Sequence, residues 1–199
     1  VSITYPLSLL THTGIRSISF RAVNSVAVNR SPFTFQSQTQ VYSGQMWQAD
    51  VSLPTMKRAD AEQWIAWLLS LNGQRGTFLL GDPLSTAIRG TATGLTVTGS
   101  AGDSTVSATV TNGQTLLAGD MFQLGSGSDA TMHKVLVAYT GTGSATNLEI
   151  WPALRKARSA VAADLTSPQG VFRLASNEQS WDVDEASAYG ISFSAVEAV

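Results

Sequence analysis

The run from residue 33 to residue 53 constrains this chain more than any other. Phe33, Phe35, Ser37, Thr39 and Val41 alternate with Thr34, Gln36, Gln38, Gln40 and Tyr42. After Ser43-Gly44-Gln45 the alternation resumes, with Trp47, Ala49, Val51 and Leu53 against Gln48, Asp50 and Ser52. A period of two sends successive side chains to opposite faces of a strand, which a helix cannot do. Two such runs around a short glycine-containing segment predict a long antiparallel hairpin that turns at 43–45. Its apolar face is expected to pack through Trp47, Val51, Phe33 and Phe35. Its other face is an almost uncharged ladder of glutamine amides. Just upstream, Ile18, Phe20 and Ala22 alternate with Ser19 and Arg21 and predict a further strand.

Pro54 ends the hairpin, and the periodicity then changes. Between residues 58 and 71 the apolar side chains fall at Ala61, Trp64, Ile65, Leu68 and Leu71, the spacing of a helix with one buried stripe. Asp60 and Glu62 are placed in its first turn, where carboxylates favour the helix dipole, and Asn72-Gly73 supplies a stop. Such a helix is expected to lie on the sheet that the hairpin begins. Residues 77–80 read as a buried strand ending at Gly81-Asp82-Pro83.

From Arg89 onward the chain becomes a series of short strands between Thr, Gly and Ser turns. The candidates are 95–98, 105–110, 121–124, 134–138, 148–151 and 171–174. Five or six short strands at this spacing predict a small closed barrel. The last strand, 191–196, has no partner unless it returns to the first sheet. That predicts an insertion: a first domain of residues 1–89 and 176–199, interrupted by a barrel of residues 90–175. The expected fold class is therefore mainly β, a sandwich-type domain with one packed helix plus an inserted small barrel.

Only 13% of residues are charged, against about 25% in an average globular chain. Serine (24) and threonine (21) take their place. Hydroxyl side chains cost little to desolvate, and a lone soluble monomer generally carries more charge, so much of the surface is expected to be covered in an assembly. The net charge of -2 offers no basic stripe for sequence-specific nucleic-acid binding. Absence of cysteine removes disulfides, thiolate metal sites and cysteine nucleophiles. The apolar stretches 7–10 and 65–69 are too short to span a bilayer. Residues 1–20 hold no basic start followed by an apolar core, so the protein is expected to act in the compartment where it is made.

Catalytic patterns are missing too. His12 and His133 lie far apart without ligand spacing, and there is no nucleophile elbow or phosphate-cradling glycine loop. Asp182, Asp184 and Glu185 form the densest acidic group but lack the loop and glycine of a calcium site. Gly125-Ser126-Gly127 is a turn. Arg155, Lys156 and Arg158 form the only basic cluster, read as a loop facing solvent or an acidic neighbour. No enzyme, cofactor or metal is expected. Trp67 falls off the centre of the helix stripe and is an interface candidate; Trp47 and Trp64 are core.

The segment 47–54, Trp-Gln-Ala-Asp-Val-Ser-Leu-Pro, the helix with Trp64 and Trp67, and segment 76–83, Gly-Thr-Phe-Leu-Leu-Gly-Asp-Pro, resemble the distal tail proteins of long-tailed bacteriophages. Segments 117–124, 150–155 and 170–174 resemble the barrel half of the same proteins, so the likeness runs from about Ile15 to the end. The resemblance implies a belt domain related to the tail-tube subunit and an inserted OB-like barrel outside the ring. It also implies a homo-hexameric ring at the distal end of the virion tail, made in the host cytoplasm. The implied partners are the tail-tube protein above and the baseplate hub and tape-measure proteins below, with no membrane insertion. DNA would pass through without being read. Gln36, Gln38, Gln40, Gln48, Trp67, Arg155, Lys156 and Arg158 are the candidate subunit-interface residues. A carbohydrate-binding module, or a tail-tube or tail-terminator subunit, are the alternative readings.

Overall fold

The computed structural model describes residues 3–183 and 188–199. Strand β1 (Ser17–Arg30) and strand β2 (Ser37–Ser52) pair antiparallel along almost their whole length. The expected turn at 43–45 is therefore corrected: β2 runs unbroken for 16 residues and its hairpin partner is the upstream strand. The reversal occurs at 31–36 instead. Ser31 N–H donates to Gln36 O at 2.9 Å, Phe35 N–H donates to Ser31 O at 3.0 Å, and Phe35 takes φ 57. Ser43-Gly44 marks a register irregularity, because Asn24 pairs with Gln45 while the next pair outward is Val26 with Val41. The small residues permit the offset: a Cβ on Gly44 would lie 3.1 Å from that of Ser25.

The short strand β3 (Met56–Lys57) leads into α1 (Arg58–Ser70). Asp60 lies in the first turn, whereas Glu62 reaches back to pair with Arg58 at 3.3 Å. Asn72 at φ 50 and Gly73 at φ 64 end the helix in left-handed conformations. Strand β4 (Thr77–Gly81) follows as predicted. The chain then builds a closed barrel from β5 (Leu95–Gly99), β6 (Thr105–Thr109), the short β7 (Thr115–Leu116), β8 (Met121–Leu124), β9 (Thr131–Val135), the short β10 (Tyr139–Thr140), β11 (Thr146–Trp151) and β12 (Arg158–Asp164). Closure runs β11-β6-β5-β12-β8-β9, six strands where an OB barrel has five.

Two expectations about the barrel are corrected. The strand at 171–174 is β13 (Gln169–Leu174), and it pairs with β4 rather than with any barrel strand. Gly170-Val171-Phe172 is buried on both faces between its neighbours, which suits a central sheet position. Its place in the barrel is taken by β12, which begins at Arg158, the last cation of the cluster expected to form a loop. Strand β14 (Trp181–Val183) and strand β15 (Ala188–Glu197) complete the chain, and β15 returns to the first sheet, as the orphan final strand required.

The sheet order is β1-β2-β15-β13-β4, with β3 and β14 on the outer half of β15. Alternation gives it two unlike faces. Trp47, Ala49, Val51, Phe193 and Ala195 point to the core, where α1 contributes Trp64, Trp67 and Leu68 and the barrel contributes Met121 and Met132. Asp50, Ser52, Ser192 and Ser194 point the other way. Trp67 is corrected from interface to core. It is 7% exposed, meets Phe78 edge-on at 5.1 Å and donates its indole N–H to Ser8 O at 3.0 Å. Positions 64, 67, 68 and 71 are one helical stripe, so its burial follows from the same period that buries Trp64.

Candidate functional site: the hairpin arm and its base

Strand β15 accompanies β2 only along residues 48–52. Beyond that point β1 and β2 continue as a two-stranded ribbon, paired through Val26–Val41, Ala27–Gln40, Val28–Thr39 and Asn29–Gln38. Opposed residues share a face, so Val26, Val28 and Val41 form an apolar strip while Gln38 and Gln40 join Ala27 and Asn29 on the reverse. Among the described residues nothing covers either side. Exposure is 47% at Val26, 62% at Val28, 68% at Val41 and 55% at Tyr42. At the tip Phe33 is 91% exposed and Phe35 67%, with the Arg30 guanidinium 5.2 Å from the Phe35 ring centre. The expected packing of Phe33 and Phe35 on the helix is thus corrected. α1 meets the opposite end of the hairpin, and the two rings lie far along the ribbon from it.

The structure separates the predicted site residues into three groups. Gln36, Gln38 and Gln40 are exposed on the arm, and Gln48 is half-buried at its root beside Val196. Trp67 is core. The three cations lie where the barrel meets the sheet, and each has a carboxylate partner within the chain. Arg155 Nη2 reaches Glu197 at 2.6 Å, Lys156 Nζ reaches Asp129 at 2.7 Å and Arg158 Nη1 reaches Asp129 at 2.5 Å. The donated bonds of Lys156 and Arg158 hold the Asp129 carboxyl below its ordinary range. Sequence reasoning missed both acidic partners, because 27 to 42 residues separate them from the cations.

Further contacts tie barrel to sheet. The Trp47 indole donates to Met132 O at 3.1 Å and its ring meets Trp151 edge-on at 4.4 Å. Trp151 donates to Asn24 Oδ1, and Ala153 N–H donates to Gln45 Oε1, each at 2.8 Å. His133 lies fully buried against Phe122, its Nδ1 2.8 Å from Pro152 O and its Nε2 3.0 Å from Thr131 Oγ1. Burial drives its pKa down to about 4, with the Arg155 and Arg158 charges adding and the Pro152 bond opposing. Asp120, 3% exposed, ties residues 89–90 to residue 117 through its carboxylate. Desolvation raises its pKa, but bonds from the Leu117, Arg89 and Gly90 backbone N–H groups and from the Arg89 side chain outweigh it and the net shift is downward.

His133 has both ring nitrogens engaged, and His12 is an exposed residue stacked on Trp64 at 6.2 Å. Among the described residues no three His, Asp or Glu side chains converge on a metal position. Asp182 is exposed on β14, while Asp184 and Glu185 fall outside the described residues. Among the described residues no helix is long and apolar enough to cross a membrane. In comparisons of sequence, no protein-family model and no curated protein matches the chain.

Proposed function

We propose that this chain is the ring-forming structural subunit of a long-tailed phage tail tip, joining the tail tube to the baseplate hub. The observation that carries the reading is the arm. A two-stranded ribbon is marginal in water by itself, and this one exposes three aromatic rings and three valines to solvent. Aromatic side chains bury roughly 150–250 Å² each, so the arm's rings together with its valines approach the roughly 800 Å² per partner of a standard interface. An arm that docks head-to-tail on the next subunit makes a heterologous contact, which generates a ring where the rotation closes.

In this reading the sheet with its helix is the belt domain and the barrel is an OB-like addition on the outside, with residues 169–174 counted to the belt. The polar face of the sheet, with Ser52, Ser192, Ser194 and the Arg21–Asp50 pair, lines the bore. Small hydroxyls and a neutralised charge pair suit a passage that must not hold DNA. The six-fold number and the tube, hub and tape-measure partners come from the resemblance of segments 47–54 and 76–83. The carbohydrate-binding alternative gains nothing from Trp151, whose ring and N–H are taken up by Trp47 and Asn24.

Sedimentation of the native protein tests the proposal. A closed oligomer is expected, converted to monomer by Val28→Asp with Val41→Asp while circular dichroism stays unchanged. Wild-type protein that sediments as a monomer at every concentration overturns it.

A further inference from the structure

Asn24 and Gln45 are the last register pair of the hairpin before its irregularity. The barrel holds both of them, through Trp151 and Ala153, at 2.8 Å each. The two donors lie two residues apart on one segment, which Arg155 then fastens to the sheet. Arg155 Nε and Nη2 donate to the two Glu197 carboxylate oxygens at 3.2 and 2.6 Å, and one of these also accepts Trp47 N–H at 2.9 Å. Just outward of the gripped rung the ribbon is at its weakest. Ser25, Ser43 and Gly44 are small, and the ladder resumes only at Val26–Val41.

We infer that barrel segment 151–155 is a clamp that sets the angle of the arm. The hinge lies at residues 24–26 and 41–45, and displacing the segment frees the arm to swing. The lever is long. About ten residues separate the rung from the tip, roughly 30 Å at strand rise, so a 10° rotation moves Phe33 by roughly 5 Å. An interface that depends on side-chain fit does not survive such a shift. Whatever engages the barrel and moves segment 151–155 therefore also changes what the arm can dock onto. That consequence for assembly rests on the ring reading; the clamp itself does not.

The chain has no cysteine, so a spin-label pair at Asn29→Cys on the arm and Thr55→Cys, in the exposed connection between β2 and β3 at the hairpin root, reports the angle directly. Labelled protein is diluted into unlabelled protein so that only distances within one chain are measured. A single narrow distance distribution is expected in the parent. It should broaden about twofold in Asn24→Ala with Gln45→Ala, as a freed hinge samples slow collective motion. Trp151→Phe, which keeps an aromatic ring and removes the N–H donor, should broaden it to a lesser degree. A distribution of unchanged width in both variants overturns the clamp. Sedimentation of the same samples separates the two ideas, because a monomer with a broadened distribution refutes the ring and leaves the clamp standing.

Discussion

The two ends of one hairpin have the same alternation and opposite surroundings. At the root, Trp47, Ala49 and Val51 are at most 5% exposed, flanked by β15 and roofed by α1 and the barrel. At the arm, Val41 on the same strand is 68% exposed and Val26 opposite it 47%. The period of two is equally clear in both. It establishes that a strand forms and which side chains share a face. It does not establish that anything will cover that face, which depends on where the third strand stops.

Truncation at the root should have the largest effect. Trp47→Ala removes the ring that meets Trp151 and the donor to Met132 O, and should cost about 3–5 kcal/mol by chemical denaturation. The matching truncation on the arm, Phe33→Ala, should change monomer stability by less than about 0.5 kcal/mol. Equal losses at the two positions would erase the distinction between root and arm.

Next in size is the acid response of the root. His133 titrates at about 4 in the fold against 6.5 when unfolded. The unfolded chain thus binds more protons across that window, and stability is full above the upper value and falls as pH drops toward the lower. At its full extent the loss is about 3 kcal/mol. Denaturation midpoints measured across the window should slope with pH, and His133→Phe should flatten the slope. A wild-type midpoint independent of pH there would mean that the histidine is not held neutral by burial.

Replacing Gln38 and Gln40 by glutamate tests the arm's other face. The variant should fold as well as the parent, within about 0.5 kcal/mol. Its assembly should shift toward monomer in sedimentation, since an unpaired charge is costly to bury. If the same closed oligomer persists, the glutamine face lies outside the subunit contact. The smallest effect is expected at Lys156→Ala. Its ion pair with Asp129 is solvent-exposed at the lysine end, and exposed pairs contribute only about 0–1 kcal/mol.

The legibility of the molecule followed the length of its patterns. The α1 stripe, the β2 alternation and β4 were readable because each rests on residues a few positions apart. The return of β15 was readable because an unpaired final strand needs a partner. β12 was not, since Arg158, Ser159 and three alanines carry neither period nor bulk, and only closure of the barrel requires a strand there. β13 was assigned to the barrel because its neighbours in sequence are barrel strands, while its partners in space are β4 and β15. Within the site, the exposed glutamines could be named in advance. The acidic partners of Arg155, Lys156 and Arg158 could not, for nothing at residue 129 or 197 marks it as complementary to residues 155–158.

The sequence by itself determined the β character, the single helix, the sidedness of each strand and the low-charge surface. All of these are local, set by backbone geometry and side-chain type over spans of one element. The tertiary structure alone decided where the hairpin turns, which of its apolar residues are buried, and that Trp67 belongs to the core. It alone joined barrel to sheet at Asn24, Gln45 and Glu197. The reason is physical: burial and ion pairing depend on which distant segment arrives to cover a face, and a strand's own pattern reads the same whether that cover comes or not.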